Sequence, residues 1–329
     1  MVKTIVIVGV TGAQGSSVAA TFLRLPSWHV RGITRNTNSE AAKAQAAKGV
    51  QIVQADLDDV PSLISAFEGA HAIFANTDWS AALFYALEHP EVGDARQYFR
   101  DVEFRYGANL AEAAAAESTM KTLERFVWSS LSHAKKLSKG KYSKVYHFDV
   151  KAEVEDHIRE RYPELAAKMS TVHLGNYVTN WQLYPPAAPR KQADGTFVIE
   201  SALPDDFRNP FVWAHKDTGA FVKALVEECP SGTNLRAISE TLTWPEYTKV
   251  WADTLGVKAV YRNAGLEEHF GDKGLPAALR EEIMDAFSYA IEYNYDGGDP
   301  NIKTAEQLGI KVPTTSMAEY VRQETWPML

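Results

Sequence analysis

Through the first half of the chain, short runs of apolar residues alternate with amphipathic stretches. Ile5-Val6-Ile7-Val8 is β-branched throughout, the pattern of a strand covered on both faces. A helix is predicted over 13–25, a strand over 30–34, an alanine- and lysine-rich helix over 40–48 and a strand over 50–54. Pro61 is well placed in the first turn of a helix running to Phe67. A strand over 71–76 comes next, then a polar and aromatic insertion over 77–99 and a long helix over 103–116. The half closes with a strand over 126–130, a helix over 149–161 and a strand over 170–174. Strand–helix alternation of this kind predicts an α/β fold with a Rossmann-type, doubly wound parallel sheet. Right-handed crossovers give it the strand order 3-2-1-4-5-6.

The pattern changes after Asn176. Pro185, Pro186 and Pro189 interrupt any regular element, and short strands follow with helices over 246–255 and 276–290. The reading is a nucleotide-binding domain over 1–176 and a smaller α+β domain for substrate or partner over 177–329. Part of 210–228 is expected to return and pack on the first domain. No internal repeat stands out.

Composition narrows the function classes. The 329 residues are 45% hydrophobic and 23% charged, an ordinary globular balance. A net charge of −8 works against binding nucleic acid phosphates or anionic membranes. The single cysteine, Cys229, leaves no disulfide framework and reads as a small buried hydrophobe. No apolar run is long enough to span a membrane, and the run at 5–10 is too short for a signal peptide. A cytosolic or nuclear location is expected, with no membrane and no direct nucleic acid partner.

Gly9-Val10-Thr11-Gly12-Ala13-Gln14-Gly15 directly follows a strand and opens a helix, a context that gives a glycine triplet meaning. Gly9 permits a tight turn, Gly12 lets backbone approach a pyrophosphate and Gly15 allows close packing behind the helix. The helix N-terminus then offers free N–H groups and the positive end of its dipole to an anion. Sites that prefer NAD carry an acid at the end of strand two for the ribose 2′-hydroxyl. Here that stretch is Gly32-Ile33-Thr34-Arg35-Asn36. Arg35 stands where the acid would be, and its guanidinium suits a 2′-phosphate, so NADP(H) is favoured over NAD(H). Asp56 and Leu57, just after strand three, are placed to contact the adenine.

The G-x-x-G-x-x-G spacing resembles that of extended and atypical short-chain dehydrogenases. VTGAQGSSVA, ITRN, ANTDW, HFDVKAEVEDHIRE, ADGTF and the later Lys-Asp-Thr-Gly-Ala together resemble the NmrA-like family over nearly the whole chain, with the greatest similarity to its fungal members. Its members include NADP-sensing regulators, reductases and enzymes of small-molecule biosynthesis. The resemblance implies dinucleotide contacts at Gly9 through Gly15, Arg35, Asp56, Leu57, Thr77, Asp78, Trp79 and Lys151. Some NADP-binding relatives place a second basic residue a few positions after the arginine; here that stretch is Asn38-Ser39-Glu40, so Arg35 acts alone.

Active short-chain dehydrogenases use Tyr-x-x-x-Lys, whose spacing puts both side chains on one helix face. The matching pair here is His147-x-x-x-Lys151: the lysine is kept and the tyrosine is not. Either His147 is the proton donor, its intrinsic range suiting neutral pH, or only cofactor binding is retained. Tyr142 and Tyr146 are nearby alternatives, though Tyr146 is about 100° out of phase. Ser129 and Ser130 end strand five at the carboxyl edge of the sheet, where a ligand crevice is expected, and Ser130 joins the candidate catalytic set. Lys135 or Lys136 could close over the phosphates. Asn176, Tyr177 and Asn180 follow strand six and are expected at the nicotinamide end or the substrate entrance. Trp79, Phe84, Tyr85, Trp181 and Trp213 are candidates for an aromatic pocket wall. Nine histidines lack metal-ligand spacing, so no metal site is expected.

Two functions compete. The favoured one is an NADPH-dependent reductase, or an NADP-bound biosynthetic enzyme, acting on a small carbonyl or imine in a pocket between the two domains. The other is a non-catalytic NADP(H) sensor in which nucleotide orders the insertion and alters a surface for a protein partner.

Overall fold

The structure is a computed structural model that describes residues 2–184, 187–271 and 274–329. Pro185 and Pro186 lie outside the described residues. The first half runs β1 (Lys3–Val8), α1 (Ala13–Phe22), β2 (Trp28–Thr34), α2 (Glu40–Ala47), β3 (Gln51–Gln54), α3 (Val60–Phe67), β4 (Ala72–Ala75), α4 (Trp79–Glu88), α5 (Ala95–Ala115), α6 (Glu117–Met120), β5 (Arg125–Ser130), α7 (Ala134–Leu137), α8 (Tyr146–Arg161), α9 (Pro163–Ala166) and β6 (Met169–Leu174). It continues with β7 (Asn176–Tyr177), β8 (Arg190–Lys191), β9 (Phe197–Ser201), β10 (Asn209–Val212), α10 (Ala214–Glu227), β11 (Asn234–Ala237), β12 (Glu240–Leu242) and α11 (Trp244–Leu255). The chain ends with β13 (Ala259–Asn263), α12 (Gly265–Phe270), α13 (Ala277–Tyr293), β14 (Ile302–Lys303) and α14 (Met317–Gln323).

Among the described residues, the central sheet has eight strands in the order β14-β11-β6-β5-β4-β1-β2-β3. Every pairing in it is parallel. The expected order 3-2-1-4-5-6 is present within it, and β11 and β14 extend the β6 edge from the second half of the chain. Side chains alternate between two buried faces, as they must along a strand. Ile5 and Ile7 join the apolar layer under α1 and α10, while Val6 and Val8 join the layer under α3, α5 and α8. Trp128 is fully buried in the second layer, and its indole N–H donates to the carbonyl of Lys151 at 3.0 Å. That bond fixes the height of α8 on the sheet.

α10 lies against α1, with the amide of Gly219 donating to Ser17 Oγ at 3.0 Å. Two smaller sheets, β12-β10-β7 and β13-β9-β8, surround a third apolar cluster that includes Phe197, Phe211, Trp251 and Tyr320.

The expected insertion is largely helical. α4 occupies 79–88, and α5 begins at Ala95 rather than near Glu103. Asp94 caps α5 by accepting from the Gln97 amide at 2.9 Å. Arg96, Phe99, Val102 and Glu103 are buried along its inner face.

Candidate functional site

The chain order of the strands reverses between β1 and β4. In an open parallel sheet, that is where the carboxyl ends leave a crevice. The glycine loop leaves β1 on one side of this crevice, and the segment Asn76-Thr77-Asp78-Trp79 leaves β4 on the other.

The loop is built from glycines for reasons the geometry states. Gly9 has φ +66°, a conformation that other residues adopt at a cost. Gly12 N–H closes the turn on the Gly9 carbonyl at 2.9 Å. A Cβ on Gly15 would lie 2.2 Å from that same carbonyl oxygen, so no side chain fits. α1 begins at Ala13 with no side-chain cap, which leaves its first N–H groups for an anion. Thr11 and Gly12 are exposed at the loop surface.

Gln14 and Tyr177 are brought together. The Gln14 amide donates to the Tyr177 hydroxyl at 2.7 Å, joining the loop to the first residues after β6. Burial pushes the Tyr177 phenol up to about 12, against the pull of the Gln14 bond. Asn176 accepts from Asn180 at 2.8 Å and donates to Asn209 at 3.4 Å. Gln14 Oε1 and Asn76 Oδ1 are buried acceptors without a donor.

Arg35 is exposed directly after β2 and has no ion pair among the described residues. Asp56 accepts from the Asp58 amide at 3.0 Å in a local turn. The Leu57 carbonyl accepts from Asn109 at 2.7 Å, and the Leu57 side chain packs on the second apolar layer. Asp78 caps α4 through Ser80.

Lys151 and Thr77 also meet. The Lys151 ammonium donates to the Thr77 carbonyl at 2.9 Å, to Thr77 Oγ1 at 3.1 Å and to Glu103 Oε1 at 2.8 Å. Thr77 Oγ1 in turn donates to the same Glu103 oxygen at 2.7 Å. Lysine has three N–H donors, and all three are used within the protein. Glu103 was not anticipated from sequence, where a carboxylate on a long helix reads as solvated.

His147, one turn before Lys151, is held differently. Its Nδ1 lies 2.6 Å from Glu282 Oε1, and its backbone N–H donates to the same oxygen at 2.9 Å. Glu282 belongs to α13 and is fully buried. Its other oxygen is gripped by Arg96 Nε at 3.0 Å. Burial pushes the Glu282 carboxyl up, but His147 and Arg96 together bring it below the usual carboxylate range. Trp79 lies over the His147 ring, with centroids 4.9 Å apart.

Other candidates lie elsewhere. The Ser130 hydroxyl meets the Leu131 carbonyl at 3.3 Å and the Glu155 carboxyl on α8, and no hydrogen bond joins it to His147 or Lys151. Tyr142 bonds Glu292 at 2.9 Å, and Tyr146 lies under the Arg96 guanidinium. Lys135 and Lys136 are exposed. The aromatic wall does not form. Trp79 packs near His147 and Phe99, Phe84 and Tyr85 are exposed on α4, and Trp181 and Trp213 pack into the third cluster. Their spacing carried no information on which element would bury each ring. A small cavity lies at the carboxyl ends of β5, β6 and β11, lined by Ser132, His173, Arg236, Tyr295 and Asp296 among others. No helix among the described residues is long and apolar enough to cross a membrane.

The chain is similar in sequence and in fold to known proteins. An NmrA-like family oxidoreductase of Aspergillus japonicus is 37% identical to this chain, covering 92% of it and 88% of the relative. Another, of Penicillium ochrochloron, is 27% identical over 99% and 95%. The fold is similar to that of NmrA, a negative transcriptional regulator solved in complex with NADP (TM-score 0.74, 22% identity, covering 99% of this chain and 96% of that one). It is also similar to an NADPH-dependent quinone oxidoreductase of Escherichia coli complexed with NADPH (TM-score 0.65, 20% identity, 97% and 99%). The profile of the NmrA-like family matches residues 1–321, and the chain belongs to that family.

Proposed function

We propose that the protein binds NADP(H) across the β1/β4 crevice and reduces a small carbonyl or imine held between the two halves of the chain, with His147 as proton donor. One observation carries the nucleotide: an uncapped helix N-terminus stands behind a turn that only glycine fits, with the exposed Arg35, which has no ion pair among the described residues, after the neighbouring strand. The residues fit the cofactor. Ala13 and Gln14 amides would hold the pyrophosphate, Arg35 the 2′-phosphate, and Asp56 and Leu57 would border the adenine. Gln14 Oε1 and Asn76 Oδ1 are acceptors still lacking donors, which ribose hydroxyls or a carboxamide would satisfy.

NADPH supplies a hydride when bound, and a side chain placed as general acid speeds delivery of the proton. Lys151 has no free donor, so its role is to hold Thr77 and, through it, the segment carrying Trp79. His147 Nε2 has no hydrogen-bond partner among the described residues, and the side chain keeps 13% of its surface. It is the group left to deliver a proton. The test is consumption of NADPH by purified protein against a panel of aldehydes, ketones, quinones and imines. The reading predicts turnover with at least one class and a loss of about a hundredfold in kcat for His147→Ala.

A second reading has its own support. Phe84 and Tyr85 are half exposed on α4, the helix that begins at Trp79. A nucleotide-dependent partner surface would use such a patch. Tight NADPH binding without consumption, together with a partner captured only in the presence of nucleotide, would favour this sensor over the reductase.

A further inference from the structure

α13 comes from the second half of the chain, yet it delivers Glu282 to the first turn of α8. One carboxylate oxygen accepts both the backbone N–H of His147 and its ring Nδ1, at 2.9 and 2.6 Å. The other oxygen accepts from Arg96 Nε at 3.0 Å. Arg96 is itself fixed by Asp285 at 2.8 Å and by the Lys144 carbonyl, so the carboxylate has little freedom to turn. An ionised carboxylate only accepts hydrogen bonds. The ring nitrogen facing it must therefore carry the proton.

From this geometry we infer that Glu282 is a positioning residue that locks the neutral His147 ring as its Nδ1–H tautomer and leaves Nε2 as the exchanging nitrogen. Its catalytic consequence rests on the reductase reading. In the protonated ring, Nε2–H passes its proton to the substrate heteroatom, and the electron pair of that bond stays on the ring. The ring left behind keeps its Nδ1–H on Glu282, and solvent returns a proton to Nε2. Trp79 and Phe148, at 4.9 and 4.8 Å from the ring, restrict rotation that would swap the two nitrogens.

Glu282→Gln removes the lock with little change in shape. An amide presents one acceptor and one donor group. It cannot accept from His147 at one end and from Arg96 at the other.

The test is nitrogen NMR of histidine-labelled, nucleotide-free protein, with His147 assigned by the loss of its signals in His147→Gln. The wild-type neutral ring is expected as Nδ1–H, and Glu282→Gln as a mixture of tautomers. With substrate, Glu282→Gln is expected to lose about a hundredfold in kcat with KM for NADPH changed less than about twofold. A wild-type Nε2–H tautomer overturns the inference, as does a variant that loses the lock but keeps its kcat. If Glu282→Gln does not fold, Arg96→Lys, which keeps the charge but not the fork, is expected to loosen the lock in the same direction; an unchanged tautomer there counts against it. A wild-type protein without turnover would refute only the reductase reading, because the tautomer is read without cofactor.

Discussion

Glu103 and Lys151 form an ion pair at 2.8 Å in the interior of the protein, 1% and 6% exposed. The pair closes a triangle with Thr77, so α5 and α8 are both tied to the exit of β4. The lysine of the family motif is thus a strut for the loop at the nucleotide crevice. Breaking one partner leaves a buried charge uncompensated, which costs about 3–5 kcal/mol. Glu103→Gln and Lys151→Met are each expected to fall in that range by denaturant unfolding, with the double variant losing well under the sum of the two losses, because it leaves no uncompensated charge. Strict additivity of the two losses would show that the pair is not coupled. Because the single variants weaken the fold, loss of activity in them is not by itself a measure of chemistry.

Gly15→Ala should act on the nucleotide first. Its methyl group would be driven against the Gly9 carbonyl oxygen, and overpacking of this kind costs about 1–3 kcal/mol. The turn and the amides behind it must shift. We expect NADPH affinity to fall by about tenfold or more, read by fluorescence titration, while the far-UV circular dichroism of the sheet and helices stays that of the wild type. Wild-type affinity would mean that the phosphates do not sit there.

Arg35→Ala should change selectivity rather than binding in general. A hydrogen bond to a charged group is worth about 1.5–3 kcal/mol, so affinity for NADPH should drop about 10- to 100-fold. Affinity for NADH should hardly change. Equal losses for both nucleotides would place Arg35 on a part of the ligand that the two share.

His173 gives the fold a pH dependence of known sign. It is buried on β6, accepts no hydrogen bond at Nδ1 and contacts Thr171 Oγ1 through Nε2 at 2.8 Å. Burial lowers its titration from the ordinary imidazole value of about 6.5 to about 4. Between those values the unfolded chain binds more protons than the native state, so stability rises with pH. This contribution is complete above about 6.5 and is lost as pH falls toward 4, amounting to about 3 kcal/mol. His173→Gln should be less stable than wild type at neutral pH, with the gap narrowing at pH near 5. A gap independent of pH would contradict the assignment.

Much of this was legible in the sequence, for a physical reason. A parallel strand covered on both faces must be apolar at every position, so Ile5 to Val8 declares itself, and the glycine loop follows from it. The start of α5 was hidden because its inner face is partly charged. Arg96 and Glu103 occupy positions that a helical period would fill with apolar residues, and an isolated reading puts charges in water. Their partners explain the burial, but Glu282 lies 186 residues from Arg96, and no local pattern connects them. Asp94 was the available signal, an acidic cap one residue before the helix. β11 and β14 are short, and β14 has only two residues. Neither carries a hydrophobic run, because each needs only an existing sheet edge to pair with.

The most direct test of the account is calorimetric titration of nucleotide-free protein with NADP⁺ and, separately, NAD⁺. Seating of phosphates on the α1 amides with Arg35 beside the 2′-position predicts saturable one-to-one binding of NADP⁺, with NAD⁺ weaker by about tenfold or more. No saturable heat with either nucleotide would contradict it.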